Sequence, residues 1–286
     1  AYQTAWLKVH YPAEFMSANM TSEMNNIDRI VVLINECKKM GIDVNPPDIN
    51  ISFKDFRPIN DSSISYGLNA IKNVGSKALE SIINEREKNG EYSSLFDLCA
   101  RVAQNKVNKR VLESLIASGS MDSFDGNRAQ NFDAIDIAIK YGQKIQQENN
   151  KNQVDLFGVN NQADELIKKP LLNNIDNWSE KESLDKERDV LGIYISGHPL
   201  LEHADDLEEF TTISFDNDQN ISKNDTICVG GMITKIIHRF DKRNREMAFF
   251  DMDCLGGQIE IVAFNDCYAA YNNLIEEGNV VFVKGR

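Results

Sequence analysis

The stretch Ile71-Lys72-Asn73-Val74-Gly75-Ser76-Lys77-Ala78-Leu79 runs from a turn ending in glycine directly into a helical apolar pattern. The first backbone N–H groups of a helix find no partner within it, and the aligned peptide dipoles put partial positive charge at the same end. Lys72 and Lys77 flank that point. The chemistry on offer is capture of an anion, a phosphate above all, by backbone donors and two ammonium groups. Lys72, Asn73, Val74, Gly75, Ser76 and Lys77 are therefore candidate binding residues. A second glycine break, Ser118-Gly119 in "VLESLIASGSMDSF", follows about 45 residues later, with Met121 and Phe124 placed to tuck back. Ser118 and Gly119 are candidates for a similar contact, with an ordinary glycine helix stop as the alternative reading.

A different chemistry is written near the C-terminal end. The loop "RFDKRNRE" carries Arg239, Lys242, Arg243 and Arg245, and Phe249, Phe250 and Phe264 lie on the adjoining segments. Cationic side chains serve phosphates and aromatic faces serve unstacked bases, the pairing single-stranded nucleic acid requires. Strand alternation sends about half of such rings into a core, so the cations are the firmer candidates. Leu156 and Phe157 stand side by side in a polar stretch from Gln143 to Gln162. No catalytic or metal-binding constellation is legible. Cys37, Cys99, Cys228, Cys254 and Cys267 are widely spaced without a CxxC pair, which suits a reducing cytoplasm. His198 in "SGHPL" lacks cysteine or acidic companions at metal spacing and reads as a turn or packing residue.

These residues need elements to position them. Ile27, Ile30, Val31, Ile34 and Cys37 recur at helical spacing, with Asn26 as cap and Gly41 at the left-handed stop. The alternation in "INISF" and "ISYGL" predicts short strands between 49 and 68. Helices are predicted over 76–88, 95–103, 106–118, 128–147 and 179–191, the last with Ser179 and Glu182 at capping-box spacing. Residues 148–165, rich in Asn and Gln, read as a linker. From Thr226 the pattern changes to strands: "TICVGGMITKIIHRF", "EMAFFDMDCL", "GQIEIVAF" and, after a short helix, "NVVFVKG". That order describes most of a five-stranded OB barrel, lacking its fifth strand. The missing strand and the first residue, Ala1, point to a segment of a longer protein.

The fold class expected is thus multidomain, mainly α-helical first and all-β (an incomplete OB-fold) last. The regions are 1–60, helical with short strands; 61–147, two helical hairpins; 148–177, linker; 178–225, helical connector; and 226–286, the OB-fold. The net charge of −13 does not exclude a polyanion partner, because four basic against thirteen acidic residues fall between 179 and 225. No apolar run is long enough to span a membrane. Trp6 and Trp178 read as core anchors, and the acid run Glu202 to Glu209 as a solvated face.

The glycine turn before Ser76 looks like the hairpin of a helix-hairpin-helix motif, which grips DNA phosphates without reading bases. Asn73 stands where such hairpins carry the first of two glycines, and asparagine is the next most tolerant residue of a left-handed conformation. Further segments, "AYQTAWLKVHYPAEFMSANMTSEM", "INECKKMGIDVNPPDIN", "SLFDLCARV", "NKRVLESLIASGSMDSF" and "LGIYISGHPL", occur in the order found in the bacterial replicative DNA polymerase III alpha subunit. The chain resembles that family over essentially its whole length.

The resemblance implies a piece running from the end of the fingers through a tandem helix-hairpin-helix, clamp-binding domain into the OB domain. It implies that Gln153, Asp155, Leu156 and Phe157 match the family's internal peptide for the ring-shaped sliding clamp (the beta subunit). Burial of Leu156 and Phe157 in a partner pocket contributes roughly 3–6 kcal/mol gross. The partners implied are double-stranded primer-template DNA, single-stranded template DNA at the OB region, the clamp and other replisome subunits. The parent's Mg2+-dependent nucleotidyl transfer resides in a palm outside this chain, so no catalytic residue, metal or cofactor is expected here, and the chain alone is expected to be inactive. A stand-alone DNA- and clamp-binding adaptor is the alternative.

Overall fold

The computed structural model describes residues 2–103, 105–154, 168–212, 225–255 and 257–286. The first unit, Ala1–Ser196, opens with helices α1 (Tyr2–His10), α2 (Pro12–Ser22) and α3 (Ile27–Lys39). Asn26 caps α3 by accepting from the Arg29 N–H, and Gly41 takes φ +71° just beyond its end, as the spacing predicts. Ile30, Ile34 and Cys37 face inward, and burial pushes the Cys37 thiol up to about 11. Trp6 departs from expectation: on α1 it is 44% exposed, in tilted ring contact with His10 and Tyr11 rather than anchoring a core.

A small sheet follows, with β1 (Asp43–Asn45) parallel to β3 (Ser63–Ser65), and β2 (Arg57–Asn60) antiparallel to β3. "ISYGL" enters β3, but "INISF" is a turn. Asp48 folds the chain back by accepting from the Asn50 N–H at 2.6 Å, and Arg86 donates to the Ile49 and Ser52 carbonyls at 2.7 and 2.8 Å. Those carbonyls are thereby taken from any strand partner, which overrides the apolar alternation.

Further helices follow: α4 (Ser76–Asn89), α5 (Leu95–Arg101), α6 (Lys109–Ala117), α7 (Arg128–Asp133), α8 (Ile135–Val154) and α9 (Glu180–Leu191). One expected helix over 128–147 is two, the first started by an Asn127–Gln130 capping box. The second runs beyond 147, so the first residues of the expected linker are helical. Ser179 caps α9 through the Glu182 N–H. One continuous apolar cluster joins Met16 and Ile34 to Leu79, Leu112, Ala138 and Leu191. Trp178 packs on its margin against Phe132, with Lys186 over its face.

The second unit, Gly197–Arg286, holds α10 (Ala204–Phe210), β4 (Ile227–Phe240), β5 (Glu246–Cys254), β6 (Gly257–Ala263), α11 (Asn265–Tyr271) and β7 (Val280–Gly285). The sheet is antiparallel in the order β6-β5-β4-β7. Alternation along β5 buries Ala248, Phe250, Met252 and Cys254 and turns Phe249 to the opposite face. His198 is a turn residue, its Nδ1 accepting from the Leu200 N–H. The acidic run lies largely on α10, which nevertheless buries Leu207. No helix among the described residues is long and apolar enough to cross a membrane.

Candidate nucleic-acid interface

The turn before α4 is built as its sequence predicts. Asn73 adopts φ +68°, Val74 buries itself as an anchor, and Gly75 sits at the cap in an extended conformation with open space around it. No side chain caps α4. The N–H groups of Gly75, Ser76 and Lys77 meet no acceptor among the described residues: the turn is closed by Val74 N–H to the Ile71 carbonyl, and the first bonds of α4 are Ala78 N–H and Leu79 N–H to the Gly75 carbonyl. Lys77 projects into solvent, and Lys72 lines a cleft of about 480 Å³ with Asp28, Asp185, Arg188 and Asp189. The Lys72 N–H donates to the Val190 carbonyl at 2.9 Å, which fixes the turn against α9.

Ser118 and Gly119 behave differently from the phosphate contact proposed for them by sequence. Ser118 is 2% exposed, its hydroxyl shared between the Leu115 carbonyl and the Ser120 hydroxyl. Gly119, at φ +76°, donates to the Ile116 carbonyl while the Ser120 N–H reaches the Leu115 carbonyl. These paired bonds are the Schellman closure of a helix C-terminus. A Cβ at Gly119 would stand 2.4 Å from the Arg128 guanidinium. Met121 and Phe124 do tuck into the core. The two residues spend their donors on closing α6, so the geometry here is a helix stop and not an anion cradle.

A second helix start of the same pattern stands at the other end of α6. Val74-Gly75-Ser76-Lys77-Ala78-Leu79-Glu80-Ser81-Ile82-Ile83 recurs 33 positions later as Val107-Asn108-Lys109-Arg110-Val111-Leu112-Glu113-Ser114-Leu115-Ile116. The match is physical. Val107, like Val74, is a buried anchor, and Val111, Leu112 and Leu115 repeat the inward face of Ala78, Leu79 and Ile82. Asn108 accepts from the Val111 N–H, leaving the Lys109 and Arg110 N–H groups at the start of the helix without an acceptor among the described residues. Lys109 is held by Asp136 at 2.8 Å, whereas Lys106 and Arg110 are exposed with no carboxylate in salt-bridge range among the described residues. Reading for glycine misses this turn. Reading for the repeated "LES" helix start finds it.

In the second unit the four loop cations divide. Asp241 accepts from the Arg243 and Arg245 N–H groups and pairs with the Arg245 guanidinium at 3.0 Å. The Arg245 N–H leads the contacts that hold the Asp241 carboxyl below the ordinary carboxylate range. Asn244, at φ +58°, closes this turn. Arg245 is thus a structural residue, also 3.7 Å from Asp266, while Arg239, Lys242 and Arg243 extend outward. Beside Arg239 the outer sheet face carries Ile237, Phe249 and Val262 in one cross-strand row. Phe264, just past the end of β6, is 66% exposed, and Phe250 is in the core. Gln153 lies in the last turn of α8; Asp155, Leu156 and Phe157 lie outside the described residues.

Two family models match the chain. A helix-hairpin-helix motif covers residues 41–131, including both turns, and an OB-fold nucleic acid binding domain covers residues 227–286. Over its whole length the chain is 40% identical to DNA polymerase III subunit alpha of Borreliella burgdorferi. It is 35% identical to the proteins of that name from Vibrio cholerae and Escherichia coli. It spans about a quarter of the length of these relatives (25%). Identity sustained from end to end with one subunit of three bacteria, with both models falling on the matching parts, places the chain in the DNA polymerase III alpha subunit family.

Proposed function

We propose that this chain is the DNA-handling and clamp-tethering part of a cytoplasmic bacterial replicative polymerase. The two helix-hairpin-helix turns grip backbone phosphates of primer-template duplex, and the β unit holds single-stranded template. The observation that carries this reading is the pair of helix starts, each with free N–H groups and two cationic side chains, displayed 33 residues apart on one core. Such grips position a duplex without selecting a sequence. Arg239, Lys242 and Arg243, beside Phe249 and Phe264, supply the charge and π-faces for unpaired bases.

Tethering is assigned to Gln153, Asp155, Leu156 and Phe157. Two apolar anchors on a peptide fill a pocket on the sliding clamp, and a duplex threaded through the ring and held by the turns makes the attachment bivalent. Polymerisation itself needs metal-binding carboxylates. Among the described residues no group of three or more His, Cys, Asp or Glu side chains is placed to hold a metal ion.

Calorimetric titration of the chain into its cognate clamp tests the tether. The Leu156→Ala/Phe157→Ala variant is expected to lose affinity by at least about a hundredfold, from the loss of roughly 3–6 kcal/mol of gross burial. Equal binding by variant and parent would remove the tether from residues 153–157.

A further inference from the structure

The two turns solve one geometric problem in different ways. At the first, Asn73 holds φ +68°, a region that suits glycine and that asparagine tolerates without being confined to it. At the second, Lys106 takes the matching place without a positive φ. A hydrogen bond distinguishes them: the Asn73 Nδ2 donates to the Ser114 hydroxyl at 3.2 Å. Ser114 is 3% exposed on the inward side of α6, 41 residues away in sequence. Its counterpart in the repeat, Ser81, donates within its own helix to the Lys77 carbonyl at 3.0 Å. The strut exists only where a residue with a side chain is held left-handed.

We infer that Ser114 is a positioning residue for phosphate binding at the first turn. Its hydroxyl confines Asn73 to the left-handed state, which aims the N–H groups of Gly75, Ser76 and Lys77 at one phosphate of a DNA duplex. The Asn73–Ser114 pair thereby does for this turn what a glycine does by having no side chain. The inference rests on the phosphate-grip reading, and it makes the first grip depend on the helix whose start forms the second.

The test uses the full chain and a fluorescent duplex of about 20 base pairs, enough for about two helical turns. Ser114→Ala is expected to weaken binding roughly 3- to 10-fold, the worth of one hydrogen bond. Asn73→Ala, which keeps Ser114 and removes the whole amide, is expected to lose at least as much. Asn73→Gly is expected to lose less than Asn73→Ala, because glycine reaches the same φ without a strut. Ser114→Ala in the Asn73→Gly background is then expected to cost nothing further. Equal losses from Ser114→Ala in both backgrounds, or no loss in either, would overturn the strut. Unchanged binding by a Lys72→Ala/Lys77→Ala control would instead overturn the phosphate grip, and the inference with it.

Discussion

Replacing Lys72, Lys77, Lys106 and Arg110 together by alanine is expected to flatten the salt dependence of duplex binding. Each cation that neutralises a phosphate releases condensed counterions and adds about 0.9 to the slope of log affinity against log salt. Four such contacts correspond to a slope smaller by about 3 to 4, and to about two decades of the affinity lost by the parent between ~50 and ~200 mM salt. The loss is expected to be the same for unrelated duplex sequences, because phosphate contacts carry no base information. Ser118→Ala serves as the opposing case. Its hydroxyl is buried against Leu115 and Ser120, so stability falls by about 1 kcal/mol while the slope stays unchanged. Fluorescence anisotropy across a salt series reads both. A full slope in the four-cation variant would remove the turns from the interface.

Glu187→Ala is expected to have the largest effect on stability. The Glu187 side chain is 1% exposed, and its carboxylate accepts from the Ile195 N–H at 2.6 Å, the Ser196 N–H at 2.8 Å and the Ser196 hydroxyl. The Arg128 guanidinium adds a bond at 3.3 Å and also pairs with Asp122 at 2.6 Å. Alanine would strand two backbone donors and leave a largely buried cation with only its exposed partner. Removing one member of such a pair costs about 3–5 kcal/mol, far more than the pair's net worth. Urea unfolding of the first unit checks the magnitude. Amide exchange checks the cause, since the Ile195 and Ser196 amides are expected to lose protection in the variant. Glu187→Gln, which keeps an acceptor and loses the charge, is expected to fall between alanine and the parent. A loss below about 1 kcal/mol for alanine would mean that the carboxylate is not the clamp described.

Much of the architecture is legible from local pattern. The strands from Ile227 onward, the Asn26 and Ser179 caps, and the turn into α4 all follow from alternation, capping residues and one glycine acting together. Expectation failed where a distant side chain took over a backbone group. "INISF" has the alternation of a strand, but Arg86, 34 and 37 residues away, claims its carbonyls. The second helix start of this pattern is hidden for a related reason. Gly119 offers the familiar sign of a hairpin, and the structure spends it on a helix stop, while the repeated helix start uses an asparagine cap that carries no glycine at all. Trp6 follows the rule that size implies burial only where a neighbouring element exists to cover it. The division of labour among Arg239, Lys242, Arg243 and Arg245 depends on where Asp241 points, which composition does not encode.

The central claim is that backbone N–H groups at two helix starts meet DNA phosphates. Titrating the 15N-labelled chain with a short duplex and following its amide resonances tests it most directly. The largest shifts are predicted at Gly75, Ser76 and Lys77 and at Lys109 and Arg110, with Ser118 and Gly119 unmoved. Shifts centred on Ser118 and Gly119, with both helix starts silent, would contradict the account.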